Sequence, residues 1–299
     1  MSDSPKTPPP SAIPGPVNPR ARRRRIALYL GIAVLSLVAF AALAAILKAH
    51  GWAVPFDQSV NSFVRLIRVP WLTAVMWIAS LPGDPPVIAP LTVIVALLLA
   101  MWGWRAGAVL LVATMSAEAV IQHYVSLAFN RARPPVSFAL IQQPTTLAFP
   151  SGHAWASLLL TAIVGLVLWR TISKRWTVRG TILGAVVVLS LIVGSSRVYL
   201  GAHWPTDVVG SWIMAVFSLV AAGAAYLWVV KRFHIKERFT PLWPFWVRIT
   251  ATAVGAAPLL ALLFYDAELN PLTNKALKPS LRPPATASAP QARPLVTRR

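Results

Sequence analysis

The chain has 299 residues, of which 57% are hydrophobic and 12% charged, with a mean hydropathy of +0.64. That balance excludes a water-soluble globular fold and predicts an all-α, polytopic membrane protein, best counted in spans of roughly 20 apolar residues. The absence of cysteine excludes disulfides and thiolate metal ligands, and the net charge of +20 is gathered in loops that flank apolar segments, not in a nucleic-acid-binding stripe.

In chain order, residues 1–25 read as a disordered, basic cytoplasmic tail, rich in Pro, Ser and Thr up to Asn18. The apolar run 26–47 follows Arg20 and Arg22 to Arg25 and is too long for a signal-peptide core. It reads as an uncleaved anchor, and with its outer loop it makes the unit 26–55. Residues 56–68 place Val60, Phe63, Val64 and Ile67 at three- and four-residue steps, the pattern of a short helix lying in the outer interface. Residues 71–81 are too short to span alone and end at Leu81-Pro82-Gly83-Asp84-Pro85-Pro86, where Asp84 reads as a helix cap.

The second span is predicted at 87–104, the third at 108–129, the fourth from Ser151 and Gly152 to 169, the fifth at 181–195 and the sixth at 206–230. Residues 56–230 form the core unit. A basic loop and a seventh span near 243–265 occupy 231–268, and 269–299 read as a disordered tail rich in Pro and Ala. No internal repeat is visible.

Three polar islands interrupt this pattern: Arg131-Ala132-Arg133-Pro134-Pro135, then Pro150-Ser151-Gly152-His153, then Ser196-Arg197 followed by His203 and Asp207. An Arg or Asp at the centre of a spanning helix costs roughly 2.5–3.5 kcal/mol on insertion scales, so such groups mark function by default. The first island closes the third span, the second opens the fourth, and the third closes the fifth and opens the sixth. All four helix ends therefore share one membrane face, the outer one if the N-terminus is cytoplasmic. Glu118, inside the third span, reads as a structural hydrogen-bonding group facing a neighbouring helix. The 13 tryptophans, Trp204 among them, read as interface anchors and packing.

The residues themselves suit phosphoryl transfer, which needs cations for the equatorial oxygens, an in-line nucleophile and a proton donor for the leaving group. Arg133 and Arg197 supply forked, permanently charged donors. Ser151 and Gly152 begin a helix whose free N–H groups and positive dipole end favour an anion. His203 is assigned as nucleophile, forming a phosphohistidine, with Asp207 holding its other ring nitrogen. His153 is assigned as the acid for the leaving group and then the base for water. The scheme requires no metal or cofactor.

Arg133-Pro134, Pro150 to His153, and Ser196-Arg197 with His203 and Asp207 together resemble the three-part signature of the type 2 phosphatidic acid phosphatase family of integral membrane lipid phosphatases. The resemblance spans roughly residues 57–230. It departs from the pattern at Ser126, where the family usually has a Lys seven residues before the Arg of the Arg-Pro pair. The phosphate-binding set then comprises Arg133, Ser151, Gly152, Arg197, Arg131 and the altered position Ser126, with Arg131 or His123 as candidates to replace the missing cation. The resemblance implies a lipid phosphate or diphosphate as substrate, of the isoprenoid diphosphate or phosphatidate and phosphatidylglycerophosphate kinds, at the outer face of a bacterial-type inner membrane, with no nucleic-acid partner. Two alternatives stay open: a phosphotransferase with a lipid or sugar hydroxyl as acceptor, and a catalytically weak lipid-binding protein.

Overall fold

A computed structural model of the protein describes residues 19–51, 54–143, 146–171 and 175–235. The expected tail 1–18, the seventh span near 243–265 and the C-terminal tail lie outside them. Within the described residues all regular structure is helical: α1 Pro19–Ala49, α2 Pro55–Leu66, α3 Pro70–Ser80, α4 Pro85–Met101, α5 Arg105–Phe129, α6 Gly152–Thr171, α7 Trp176–Tyr199 and α8 Pro205–Arg232. Short 3-10 turns occupy Leu81–Gly83 and Val136–Phe138. Proline starts α2, α3, α4 and α8, where its missing N–H is one that the first helical turn leaves unbonded anyway. Asn130, in the left-handed conformation at φ 49°, ends α5 and turns the chain into the first motif.

Among the described residues five helices are long and apolar enough to cross a membrane, and α3 with α4 make a sixth path bent by 52° at Leu81–Gly83. The segment expected to be too short to span thus joins α4, across the bend at Leu81–Gly83, in one path long enough to cross a membrane. The fifth predicted span, α7, begins earlier and ends later than its apolar run of 181–195, because residues 176–180 and Ser196 to Tyr199 continue the helix at its two ends. Helix α6 lies at the centre, packed on α7, α8, α5 and α4, while α1 runs along α8 and α3 along α7. Ala154, Trp155 and Leu159 of α6 are fully buried, whereas Val34, Leu35 and Val38 of α1 and Leu183, Val187 and Leu191 of α7 point outward, as helices in lipid require.

Helix α2 departs from the expected arrangement. Its apolar side faces outward, with Phe63 61% exposed, and its polar side is buried, with Asp57 1% exposed and Asn61 also enclosed. Only Val60 and Val64 pack inward, against Val198 and Val208. Lipid, unlike water, accepts an apolar face, so the short helix turns its carboxylate toward a partner inside the bundle.

Candidate active site

The three motifs meet at one end of the bundle, held together by the segment between α5 and α6. The backbone N–H of Ala148 donates to the Arg131 carbonyl at 2.9 Å, and that of Leu140 to the Leu200 carbonyl at 2.9 Å. Gln143 Nε2 bridges the carbonyls of Pro134 and Gly201 at 3.0 and 2.9 Å. Gly201 has φ +73°, and a Cβ there would lie 2.1 Å from the Phe138 carbonyl oxygen, so the turn before His203 admits only glycine.

His203 sits on this turn and is 2% exposed. Its Nδ1 donates to the Ala148 carbonyl at 2.8 Å, while the Asp207 carboxylate is 3.5 Å away. The orienting acceptor is therefore first a backbone carbonyl and only second the expected Asp207. An Nδ1–H committed to a carbonyl leaves Nε2 with its lone pair, and Arg133 Nη1 donates to that atom at 3.1 Å. Burial, reinforced by the positive charges of Arg133 and Arg197, holds the His203 imidazole well below its ordinary pKa. At neutral pH the ring is uncharged.

Arg133 is itself fixed: Nε donates to the Thr146 carbonyl at 2.7 Å, Nη2 to the Thr146 hydroxyl at 3.0 Å, and Nη1 to the Ala202 carbonyl at 2.7 Å. Opposite lies the second imidazole. His153 Nε2 donates to the Asp84 carboxylate, and Arg197 Nη1 donates to the Ser80 hydroxyl at 2.8 Å and stands 3.9 Å from Asp84. Asp84 occupies the position before α4, but its side chain makes no capping bond. The expectation of a cap is corrected: the carboxylate serves His153. Gly83 allows this approach, since a Cβ there would come within 3.0 Å of the His153 Cβ.

Two further expectations change. Arg131 is 1% exposed and grips Asp57 at 2.6 Å, Asp207 at 2.5 Å and the Thr206 hydroxyl at 2.8 Å, so its terminal nitrogens are committed to a buried ion network instead of to a phosphate. Asp57 also accepts from the Thr206 backbone N–H at 2.9 Å and its hydroxyl at 2.6 Å, which locks α2 to the first turn of α8. The other Asp207 oxygen accepts from the Trp204 N–H at 2.8 Å. His123 is exposed and stacks edge-on to Tyr124, turned away from the site. Ser126 is 4% exposed and donates to the His123 carbonyl at 2.7 Å, so neither candidate cation takes its place.

A cavity of about 650 Å³ joins these groups: His203, Arg133, His153, Arg197, Asp84 and Gly152 line its polar end. Ile88, Val93, Val112 and Met115 line an apolar arm between α4 and α5. The first N–H groups of an α-helix have no intrahelical acceptor, and α6 starts at Gly152, which lines the polar end. Ser151 lies beneath, fully buried, its hydroxyl without a partner among the described residues. Sequence reasoning had no signal for Ser80, Thr146 or Asp57, whose partners lie far along the chain.

Residues 106–234 match the PAP2 superfamily. Phosphatidylglycerophosphatase B of Bacillus subtilis is 29% identical over 187 residues, covering 61% of this chain and 86% of that protein. An undecaprenyl-diphosphatase of Sulfolobus acidocaldarius is 36% identical over 86 residues, 29% of this chain and 36% of that protein. The solved structure of a transmembrane PAP2-type phosphatidylglycerolphosphate phosphatase from Bacillus subtilis shares the fold, with a TM-score of 0.58 at 24% identity over 69% of this chain and 98% of that one.

Proposed function

We propose that the chain, whose residues 106–234 match the PAP2 superfamily, is an integral membrane phosphatase that hydrolyses a lipid phosphate or diphosphate through a phosphohistidine at His203. The observation that carries this reading is the single cavity in which both imidazoles, two guanidiniums and the start of α6 converge at one end while the other end is apolar. A headgroup fits the first and a hydrocarbon chain the second.

In this reading the phosphate binds against Arg133, Arg197 and the N–H groups beside Gly152, and Arg133 Nη1 exchanges His203 Nε2 for a phosphate oxygen. Nε2 attacks phosphorus opposite the leaving oxygen. The P–O bond breaks with its electron pair on that oxygen, which takes a proton from His153, held in place by the Asp84 carboxylate. His153 next takes a proton from water, the water oxygen attacks phosphorus, and the P–N bond breaks with its electron pair returning to Nε2. Inorganic phosphate leaves. The basic loops around Arg175 and Arg179 and around Lys231 and Arg232 lie at the far ends of α7 and α8, which supports an active site opening on the outer face of a bacterial-type inner membrane.

The test is phosphate release by the purified protein in detergent from phosphatidate, phosphatidylglycerophosphate and polyprenyl diphosphates, with His203→Ala as the blank. Release from at least one substrate that vanishes in the variant is expected. Equal release by wild type and variant contradicts the assignment.

A further inference from the structure

Glu118 is 5% exposed, lines the cavity, and its Oε1 has no hydrogen-bond partner among the described residues. The neighbouring-helix bond expected of it does not occupy that oxygen. A buried polar atom left open toward a cavity, in a span where ionisable groups are costly, is the signature of a ligand contact. Gln122, one turn along the same face of α5, donates to the Pro150 carbonyl at 3.0 Å, and its amide carbon lies 3.5 Å from where a Cβ on Gly152 would stand. Gln122 thus marks the level of the phosphate cradle. Glu118 lies one turn deeper, beside Met115 and Ala119, where the cavity wall becomes apolar.

We infer that Glu118 recognises the glycerol backbone of the substrate, which makes a glycerol-based lipid phosphate the preferred class over a polyprenyl diphosphate. This inference rests on the lipid-phosphatase reading above. A glycerol phosphate carries an oxygen, as hydroxyl or ester, on the carbon next to the phosphorylated one, one helical turn's reach from the cradle. A carboxyl group there donates to an ester oxygen or exchanges a hydrogen bond with a hydroxyl. A polyprenyl diphosphate instead brings its second phosphate, an anion, to that depth against an acid, and offers only hydrocarbon beyond it.

The experiment measures kcat/KM of the purified full-length chain for dioleoyl phosphatidate and for farnesyl diphosphate, in wild type, Glu118→Leu and Glu118→Gln. Wild type favours phosphatidate, Glu118→Leu lowers the phosphatidate-to-diphosphate ratio by about tenfold or more, chiefly through KM, and Glu118→Gln keeps the ratio within about threefold because an amide still donates and accepts. A ratio unchanged in Glu118→Leu, or parallel loss on both substrates, overturns the inference and leaves the phosphatase reading standing. Failure of that reading looks different: wild type then releases no more phosphate than His203→Ala from either substrate, and the inference falls with it.

Discussion

In the proposed mechanism His203 is poised as a nucleophile by its burial and by three neighbours, none adjacent in sequence: the Ala148 carbonyl that fixes its tautomer, and Arg133 and Arg197, which disfavour its protonation. A depressed imidazole pKa puts the acid limb of kcat/KM, corrected for the ionisation of the substrate phosphate, below the ordinary imidazole range near 6.5. Arg133→Gln removes a positive charge that opposes protonation, so the limb moves to higher pH. The same change lowers kcat/KM by roughly ten- to a hundred-fold, the worth of a charge-assisted hydrogen bond of about 1.5–3 kcal/mol. A wild-type limb at or above 6.5, or a downward shift in the variant, contradicts this account. Ser126 offers a complementary gain. It is buried one turn from Gln122 and neither Arg131 nor His123 replaces the Lys that the motif resemblance leads one to expect there, so Ser126→Lys is expected to raise turnover about tenfold, read from phosphate release. No gain indicates that Arg133, Arg197 and the start of α6 already saturate the phosphate.

The Asp57–Arg131–Asp207 network ties α2, the segment after α5 and the first turn of α8 into one frame beneath His203. Its two carboxylates share one guanidinium, and that asymmetry sets its response to mutation. Arg131→Gln leaves two buried carboxylates without a counter-charge and destabilises by about 3–5 kcal/mol, whereas Asp57→Asn leaves a one-to-one pair and costs about 1–3 kcal/mol. Thermal unfolding in detergent checks the order, and equal losses contradict it. This frame was the least legible part of the chain. Hydropathy revealed the long helices, and the motif order predicted that four helix ends share one face, as the site shows. Arg131 looked like a phosphate ligand because a cation beside Arg133 carries no mark of its partner, and Asp57 lies 74 residues away from it on a helix whose moment suggested an interfacial float. Asp84 looked like a cap for the same reason, since its partner His153 is 69 residues on. Local pattern fixes which residues are costly to bury; only the packing of helices decides what neutralises them.

Across the whole molecule, the active-site mouth and the basic loops lie at opposite ends of the bundle, and α7 alone, with 24 residues, spans about 36 Å, more than a hydrocarbon core. The chain has no cysteine, so single introduced thiols report topology without background. Gln142→Cys, exposed at the mouth, is expected to react with an impermeant thiol reagent in intact cells, and Thr177→Cys, exposed at the other end of α7, to react only after lysis. Reversed labelling places the site in the cytoplasm. In the proposed account a lipid lies along Glu118, the apolar arm and the cradle, and His203 takes up its phosphate. The most direct test is to mix the purified protein with a lipid phosphate labelled in its terminal phosphate, quench under alkaline denaturing conditions that preserve phosphohistidine, and map the label by peptide. Label on His203 in wild type, accumulating when His153→Ala is given a substrate with a good leaving group and absent in His203→Ala, is the predicted result. Label on another residue, or turnover that persists in His203→Ala, contradicts it.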